Sequence, residues 1–504
     1  MVTEHAADTA PGAGRGLNHP RPRLHVAPPA GRLNDPNGLF VSGETLHVYY
    51  QHDPVFPFAH KRTGWAHTTL PLSGGEPQHL PDALHPGQAY DRDGCYSGSA
   101  VTDDAGRVQL FYTGNLKEDG VRTPSVNRVF VTDPDGPAGG IHRPDPANPL
   151  IDGSPEGYTG HVRDPHVTRV ADGGWRMVLG AQRADETGTV VVYTSTDLEH
   201  WDFAGEPAFD TTHAAPGDAP DLVPGGYMWE CPNLITLTDH ADGRDYDVLV
   251  VCPQGLDEVE EMDPEHPDVA VTHYASSDQC GYLVGHLTGE PGALTFEVTR
   301  GFSELDLGHD FYAPQLIAHP DGDALMLGWM GLPGADEAPT LADGWVHTLT
   351  LPRRVRLEAG RLIQEPVLAD AASGAHAAPV PAPGDGATAD VQDVTVDFPA
   401  GTDAGVELAD TAGTVAVTVT WDAASESVAL TRAGAGTRTD AGDGNAADTR
   451  VFRCRPGRCR VIVDAGAVEV FAGDGAVAAA LTAWPTAGER WAPVRAGSPP
   501  GAAG

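Results

Sequence analysis

Three acidic residues in this 504-residue chain sit where their neighbours could make them acids or nucleophiles. Asp35 lies in Gly31-Arg-Leu-Asn-Asp-Pro-Asn-Gly38, where Pro36 and Gly38 impose a tight turn just ahead of the strand-like Leu39-Phe40-Val41. Asn34 and Asn37 flank it with amide donors, which favour an ionised, nucleophilic carboxylate. Asp164 lies in His161-Val-Arg-Asp-Pro165, with Arg163 adjacent and Pro165 fixing the turn. Glu230 lies in Tyr227-Met-Trp-Glu-Cys-Pro232, where aromatic and soft apolar neighbours should desolvate it and raise its pKa. One carboxylate held ionised and another held protonated is the asymmetry that acetal hydrolysis requires. Any one of these turns alone reads as an ordinary turn, because Asp-Pro and Asn-Gly are common turn formers.

Rigid elements must present such groups to one cleft. From about residue 23 the chain reads as short strands punctuated by turns: 46–50, 108–112, 175–179, 190–193, 248–252 and 325–329. Each is β-branched, aromatic or aliphatic, and helix-period runs are scarce. Tyr193-Thr-Ser-Thr-Asp197 and Tyr274-Ala-Ser-Ser-Asp278 recur at similar places after strands. Repeated four-stranded units closing in a ring would make a β-propeller; periodicity alone leaves a sandwich open. Composition shifts near residue 370. We expect an N-terminal arm over 1–22, a catalytic domain over 23–368, an Ala/Pro/Gly-rich linker over 369–386 and an antiparallel β-sandwich over 387–504. The Gly/Ala/Asp-rich interval between Arg432 and Thr449 reads as a long loop.

The formal charge is −40, from 71 acidic and 31 basic residues, and the only lysines are Lys61 and Lys117. Such a field repels nucleic acid and anionic membranes, so neither is expected as a partner, whereas a neutral sugar suits it. The first residues contain no apolar run resembling a signal peptide, which makes a cytoplasmic location the expectation. Six scattered cysteines without zinc spacing read as reduced structural thiols, Cys231 included. The cluster His60-Lys61-Arg62 could read a phosphate, although charge runs usually mark solvated loops.

Taken together the motifs resemble those of glycoside hydrolase family 32, the invertases, fructan hydrolases and sucrose-6-phosphate hydrolases. His25, Pro28 and Leu33–Gly38 match the family's N-terminal signature. The later landmarks follow in order: Tyr49-Tyr-Gln51, Trp65, 94–100, 111–115, Arg163-Asp-Pro165, Trp229-Glu-Cys-Pro232, 310–315, 328–330 and 351–353. A fainter echo lies in 463–471. The resemblance implies an all-β chain, a five-bladed propeller followed by a β-sandwich. It implies retaining hydrolysis of terminal β-fructofuranosides, such as sucrose or sucrose-6-phosphate, without metal or organic cofactor. By position Asp35 would be the nucleophile, Glu230 the general acid/base and Asp164 the transition-state stabiliser. Asn34, Gln51, Trp65, Tyr96, Ser97, Arg163 and Trp329 would contact the sugar. A retaining pair implies carboxyls about 5–5.5 Å apart.

Two departures stand out. The Ser-Asp element usual after Trp65 is missing, which reads as a remodelled outer strand before His79–Pro86, and His166 replaces a usual lysine. Either could alter the leaving-group side. A fructosyltransferase using the same residues, and a sugar-binding propeller without turnover, are the alternative functions. Oligomeric state is left open by the sequence.

Overall fold

The computed structural model describes residues 19–58, 62–170, 173–262, 266–276, 278–319, 321–368, 391–434 and 447–497. The sequence-expected linker, nearly all of the N-terminal arm and most of the 432–449 loop lie outside them. Among the described residues the only helical element is one 3-10 turn, Pro339–Asp343. The remaining regular structure is antiparallel sheet with a few short parallel pairings, as the β-branched and aromatic runs require.

Five larger sheets, and a two-stranded one of Val259–Met262 and Ala270–His273, lie within residues 31–366. Blade I pairs Gly31–Ser42, Thr45–Asp53, Gly64–Pro71 and Gln78–Leu84 in that order. Its outer strand forms despite the missing Ser-Asp element. Blade II contains Cys95–Thr102, Val108–Glu118, Val121–Thr132 and Ile141–Pro144. Blade III contains Tyr158–Arg169, Trp175–Arg183, Gly188–Ser195 and Asp202–Gly205. Blade IV contains Met228–Thr238, Asp245–Gln254, Gly281–Thr288 and Thr295–Glu304. Blade V contains Tyr312–Ala318, Ala324–Met330, Arg353–Glu358 and Arg361–Pro366. The first strand of each blade touches the first strand of the next, and blade V returns to blade I. This is a five-bladed propeller, its sheet edges protected by radial closure. Trp345–Val346 adds a parallel partner to the first strand of blade I, tying the ends of the ring together.

Each inner strand also breaks its ladder at the same level. The register slips between Asn34 and Pro36, Tyr96 and Gly98, Arg163 and His166, Glu230 and Asn233, and Tyr312 and Gln315. These are β-bulges, which turn a strand and re-aim its side chains. Asp35, Asp164, Cys231 and Ala313 take positive φ of 29°, 65°, 44° and 47°. A proline follows each of those four, and such backbone costs on the order of 1–3 kcal/mol per residue. Blade II has Gly98 instead, because a Cβ there would lie 1.9 Å from the Phe111 carbonyl oxygen.

A belt of side chains two residues beyond each bulged position holds this level together. Asn37 accepts from the Gly98 N–H, and Ser99 donates to the Pro165 carbonyl. Asn233 accepts from the Leu316 N–H and donates to the Pro314 carbonyl, while Gln315 donates to the Gly98 carbonyl and accepts from the Leu39 N–H. His166 is the blade III member. Its Nδ1 accepts from the Leu234 N–H at 3.3 Å and its Nε2 donates to the Leu316 carbonyl at 3.2 Å. Burial pushes its pKa down to about 4, keeping it neutral. The expectation that His166 acts toward a leaving group is therefore corrected: it is buried and joins three blades.

The sandwich packs a sheet of 391–398, 457–464, 467–472 and 477–482 on one of 448–453, 427–432, 415–422, 404–409 and 495–497. Alternate residues Val417, Val419 and Trp421 point into its core, where Trp421 stacks on Phe398. A buried ionic cluster joins it to the propeller. Arg353 donates to Glu469 at 2.8 Å and to Asp306 at 2.8 Å, and His25 bridges Asp464 at 2.9 Å and Glu469 at 3.0 Å. The faint C-terminal echo in the sequence thus consists of partners for His25. All six cysteines are free and buried.

Candidate active site

The bulges bring one residue per blade toward the axis: Asp35, Ser97, Asp164, Cys231 and Ala313. Their contacts cross blade boundaries. Ser97 donates to Asp35 Oδ2 at 2.5 Å, the Cys231 Sγ lies 3.8 Å from the same oxygen, and the Cys231 N–H donates to Asp164 Oδ2 at 2.9 Å. One residue earlier along each strand stand Asn34, Tyr96, Arg163, Glu230 and Tyr312. The site is therefore two tiers of five positions.

Asp35 is held by three donors. Besides Ser97, Asn34 Nδ2 donates to Oδ1 at 2.9 Å and Gln51 Nε2 to Oδ2 at 2.8 Å. Gln51 also donates to Ser97, and Arg32 to the Asn34 amide oxygen, so the donors are themselves oriented. Burial nevertheless raises the Asp35 pKa above the usual carboxylate range, against the opposing effect of Asn34 and Ser97. Of the two flanking amides only Asn34 reaches the carboxylate, whereas Asn37 donates to the Asp35 backbone carbonyl at 2.8 Å; the sequence expectation also left out the desolvation that opposes these donors.

Asp164 is more enclosed. Its own N–H donates to Thr113 Oγ1 at 2.8 Å. Burial lifts its pKa to about 7; Arg163 opposes this, and the Glu230 and Asp35 charges add to it. Glu230 differs from its expected apolar setting. Arg163 Nη2 and Nε donate to its Oε1 at 2.6 and 3.0 Å, and the Tyr312 hydroxyl donates to Oε2 at 2.8 Å. Trp229 faces away, giving its indole N–H to the Gly225 carbonyl and packing in the core. The desolvation argument for Glu230 is replaced by a polar, ion-paired one.

The structure joins Asn34, Asp35, Gln51, Ser97, Arg163, Asp164 and Glu230 in one network. Trp65 and Trp329 are different. They are 0% and 2% exposed. Trp65 packs between Tyr49 and Tyr112 and donates to the Tyr96 carbonyl, and Trp329 packs on Tyr312 and His347. Neither offers an open face to a sugar, so their expected contact role is corrected to one of supporting wall. Tyr96 alone of the three is partly exposed. Of the cationic cluster near Trp65, His60 and Lys61 lie outside the described residues, and Arg62 is exposed, with its guanidinium 3.5 Å from the Pro86 carbonyl.

Sequence reasoning gave no role to Tyr312, Thr113 or Arg32, and read Cys231 only as a structural thiol. Tyr312 was signalled: it precedes Ala313-Pro314 as Glu230 precedes Cys231-Pro232. Arg32 is anchored by Asp336 at 2.7 Å, from a segment too remote in sequence to suggest it. The Cys231 thiol is pushed well above its usual pKa by burial and by Asp164 and Asp35. It is thus a neutral S–H beside two carboxylates, as a structural cysteine would be. A cavity of about 750 Å³ lies elsewhere, between propeller and sandwich, where Trp345, Trp484 and Arg432 line it.

Chemically, the axial cluster can stabilise a positive charge from Asp35 and Asp164 while Glu230 exchanges a proton at the rim. Two carboxylates with such roles on one pocket are the requirement of glycoside hydrolysis. The model of the glycosyl hydrolases family 32 N-terminal domain matches residues 25–366, and that of the family 32 C-terminal region matches 366–496. Sucrose-6-phosphate hydrolase of Klebsiella pneumoniae is 39% identical over 351 residues, 69% of this chain and 66% of the relative. The aligned stretch thus falls just short of two thirds of that protein's length. Raffinose invertase of Escherichia coli is 36% identical over 353 residues, covering 69% of this chain and 64% of its own. Among solved structures, a mutant β-fructofuranosidase of Bombyx mori in complex with sucrose superposes with a TM-score of 0.68 at 26% identity, covering 95% of this chain and 94% of its own. The sucrose-6-phosphate hydrolase of Lactobacillus gasseri superposes with a TM-score of 0.69 at 24% identity, covering 95% and 93%.

Proposed function

Because the chain belongs to glycosyl hydrolase family 32, we propose that it is a retaining β-fructofuranosidase of invertase type, hydrolysing sucrose or sucrose-6-phosphate. The observation that carries the reading is the three-blade carboxylate cluster, with Asp35 fixed by three donors and Glu230 at its rim. Asp35 attacks the anomeric carbon of the fructosyl ring while Glu230 gives its proton to the departing glycosidic oxygen. The fructosyl–Asp35 ester then reacts with a water that Glu230 deprotonates, and two inversions leave net retention. Asp164 accepts from ring hydroxyls and faces the cationic transition state. Asn34, Gln51 and Ser97 orient Asp35, and Arg163 and Tyr312 orient Glu230. The small sugar substrate is met in the cytoplasm, and neither nucleic acid nor membrane is a partner. Cell fractionation checks the location.

The test is incubation of purified protein with sucrose and, in parallel, sucrose-6-phosphate, assaying both released sugars separately. Equal release of the two halves supports hydrolysis. Excess of the glucosyl half indicates transfer of fructose to another sugar. No release from either substrate contradicts both enzyme readings and favours a binding propeller.

A further inference from the structure

In blade II the strands Val108–Glu118 and Val121–Thr132 place Lys117 directly opposite Arg122. Directly opposed residues share a face of the sheet, so two like charges lie side by side, which costs stability. The pairing is conspicuous in a chain with 71 acidic residues and two lysines. Among the described residues, the side-chain nitrogens of neither Lys117 nor Arg122 have a carboxylate within ion-pairing distance, although the Lys117 backbone N–H donates to Asp93 at 2.7 Å, whereas most arginines are ion-paired. The Arg122 guanidinium lies instead over the Tyr96 ring, 5.6 Å from its centroid. Tyr96 belongs to the outer tier of the site.

On its other side Arg122 abuts Tyr158–Arg169, the strand that carries Arg163 and Asp164. A Cβ on Gly160 would fall 2.5 Å from the Arg122 carbonyl oxygen. The next residue, His161, is half-buried and accepts at Nδ1 from Arg163 Nη1 at 3.0 Å. Its proton therefore resides on Nε2, leaving a free donor. Burial, together with the Arg163 and Arg122 charges, drives the His161 pKa down to about 4. Tyr96, Arg122, His161, Arg163 and Glu230 thus form a continuous arc along one wall of the mouth.

The position of this arc decides what it can bind, given the reading of Glu230 as the proton donor on which this inference rests. The leaving sugar must lie on Glu230's side, because that residue protonates its oxygen. An anion cannot enter the fructosyl pocket, whose walls are the Asp35 and Asp164 carboxyls. It can meet the arc. We propose that Arg122, with Lys117 and the His161 Nε2–H beside it, is an anion subsite that reads a phosphate carried by the leaving sugar. The guanidinium fork suits two phosphate oxygens, and the Tyr96 ring holds the cation in place without neutralising it.

The test measures kcat/KM for sucrose-6-phosphate and for sucrose with the full-length protein and with Arg122→Gln and Arg122→Lys, at low and high salt. The expected result is a preference for the phosphorylated substrate of about tenfold or more, lost in Arg122→Gln and partly kept in Arg122→Lys, given the strength of charge-assisted bonds. Salt should weaken the preference in the parent protein. Glucose 6-phosphate should inhibit sucrose hydrolysis more strongly than glucose does, and only while the Arg122 charge is present. Sucrose cleavage with no phosphate preference, or an Arg122→Gln variant retaining the parent's ratio, overturns the subsite and leaves the fructosidase reading standing. Cleavage of neither substrate by the parent protein overturns both.

Discussion

Replacing Asp164 by asparagine should stabilise the protein while disabling it, and the gain should depend on pH in a defined way. Burial lifts this carboxyl from 3.8 to about 7 in the folded chain. In the unfolded chain it ionises near its ordinary value. Below about pH 4 both states are protonated and the group costs nothing. Between pH 4 and 7 only the unfolded state ionises, so stability falls as pH rises. Above pH 7 the loss is complete, at about 4 kcal/mol from about 1.4 kcal/mol per pH unit. Asparagine removes the charge and can still accept the Cys231 N–H at the Oδ position. Allowing for imperfect replacement of the carboxylate's other contacts, a gain of about 2–4 kcal/mol is expected at pH 8. It should shrink to nothing near pH 4. Urea unfolding followed by tryptophan fluorescence at pH 4, 6 and 8 measures it, and sucrose turnover in the same samples should be nearly abolished. A gain equal at all three pH values would mean that the effect is packing, and no gain at pH 8 would refute the placement of a burial-strained carboxyl here.

The rest of the architecture makes its own predictions. Asn233→Ala cuts the belt, stranding the Leu316 N–H and Pro314 carbonyl it now pairs, and should cost about 2–4 kcal/mol in urea unfolding. His25 is subject to burial, which lowers its pKa, yet Asp464 and Glu469 lift it to about 9. Its stabilisation is therefore complete below pH 6.5 and lost as pH rises through 9, by up to about 3 kcal/mol; His25→Gln should flatten that part of the stability profile. Glu469→Ala leaves Arg353 and His25 facing a missing partner and should cost about 3–5 kcal/mol, seen as a lower melting temperature and earlier separation of sandwich from propeller in limited proteolysis.

How much of this could be read from the sequence depends on whether the signal was local. Asp35, Asp164 and Glu230 were legible because each turn carries its own proline, and the same proline marks the bulge that re-aims the strand. The strands themselves were legible as short β-branched runs. What failed was any inference that needed three-dimensional neighbours. Glu230 lies beside Trp229 in sequence, but alternation along the strand sends that ring to the core while Arg163 and Tyr312 meet the Glu230 carboxylate. Trp65 and Trp329 looked like sugar platforms, yet the same alternation buries them inside blades I and V. His166 looked like a substitution near the leaving group, and the bulge turns it inward to the belt. Arg32 with Asp336, and His25 with Asp464 and Glu469, join residues separated by more than 300 positions, which no local pattern can disclose.

The central claim, that Asp35 forms a bond to the fructosyl group, is tested most directly by trapping that bond. The Glu230→Ala variant, given a fructoside whose leaving group departs without acid help, should be quenched in acid, digested and examined by mass spectrometry. The account predicts one fructosyl addition on the peptide containing Asp35, absent when Asp35→Ala is added, with azide releasing the sugar as β-fructosyl azide. An unmodified Asp35 peptide accompanied by fructosyl azide of inverted configuration would contradict it.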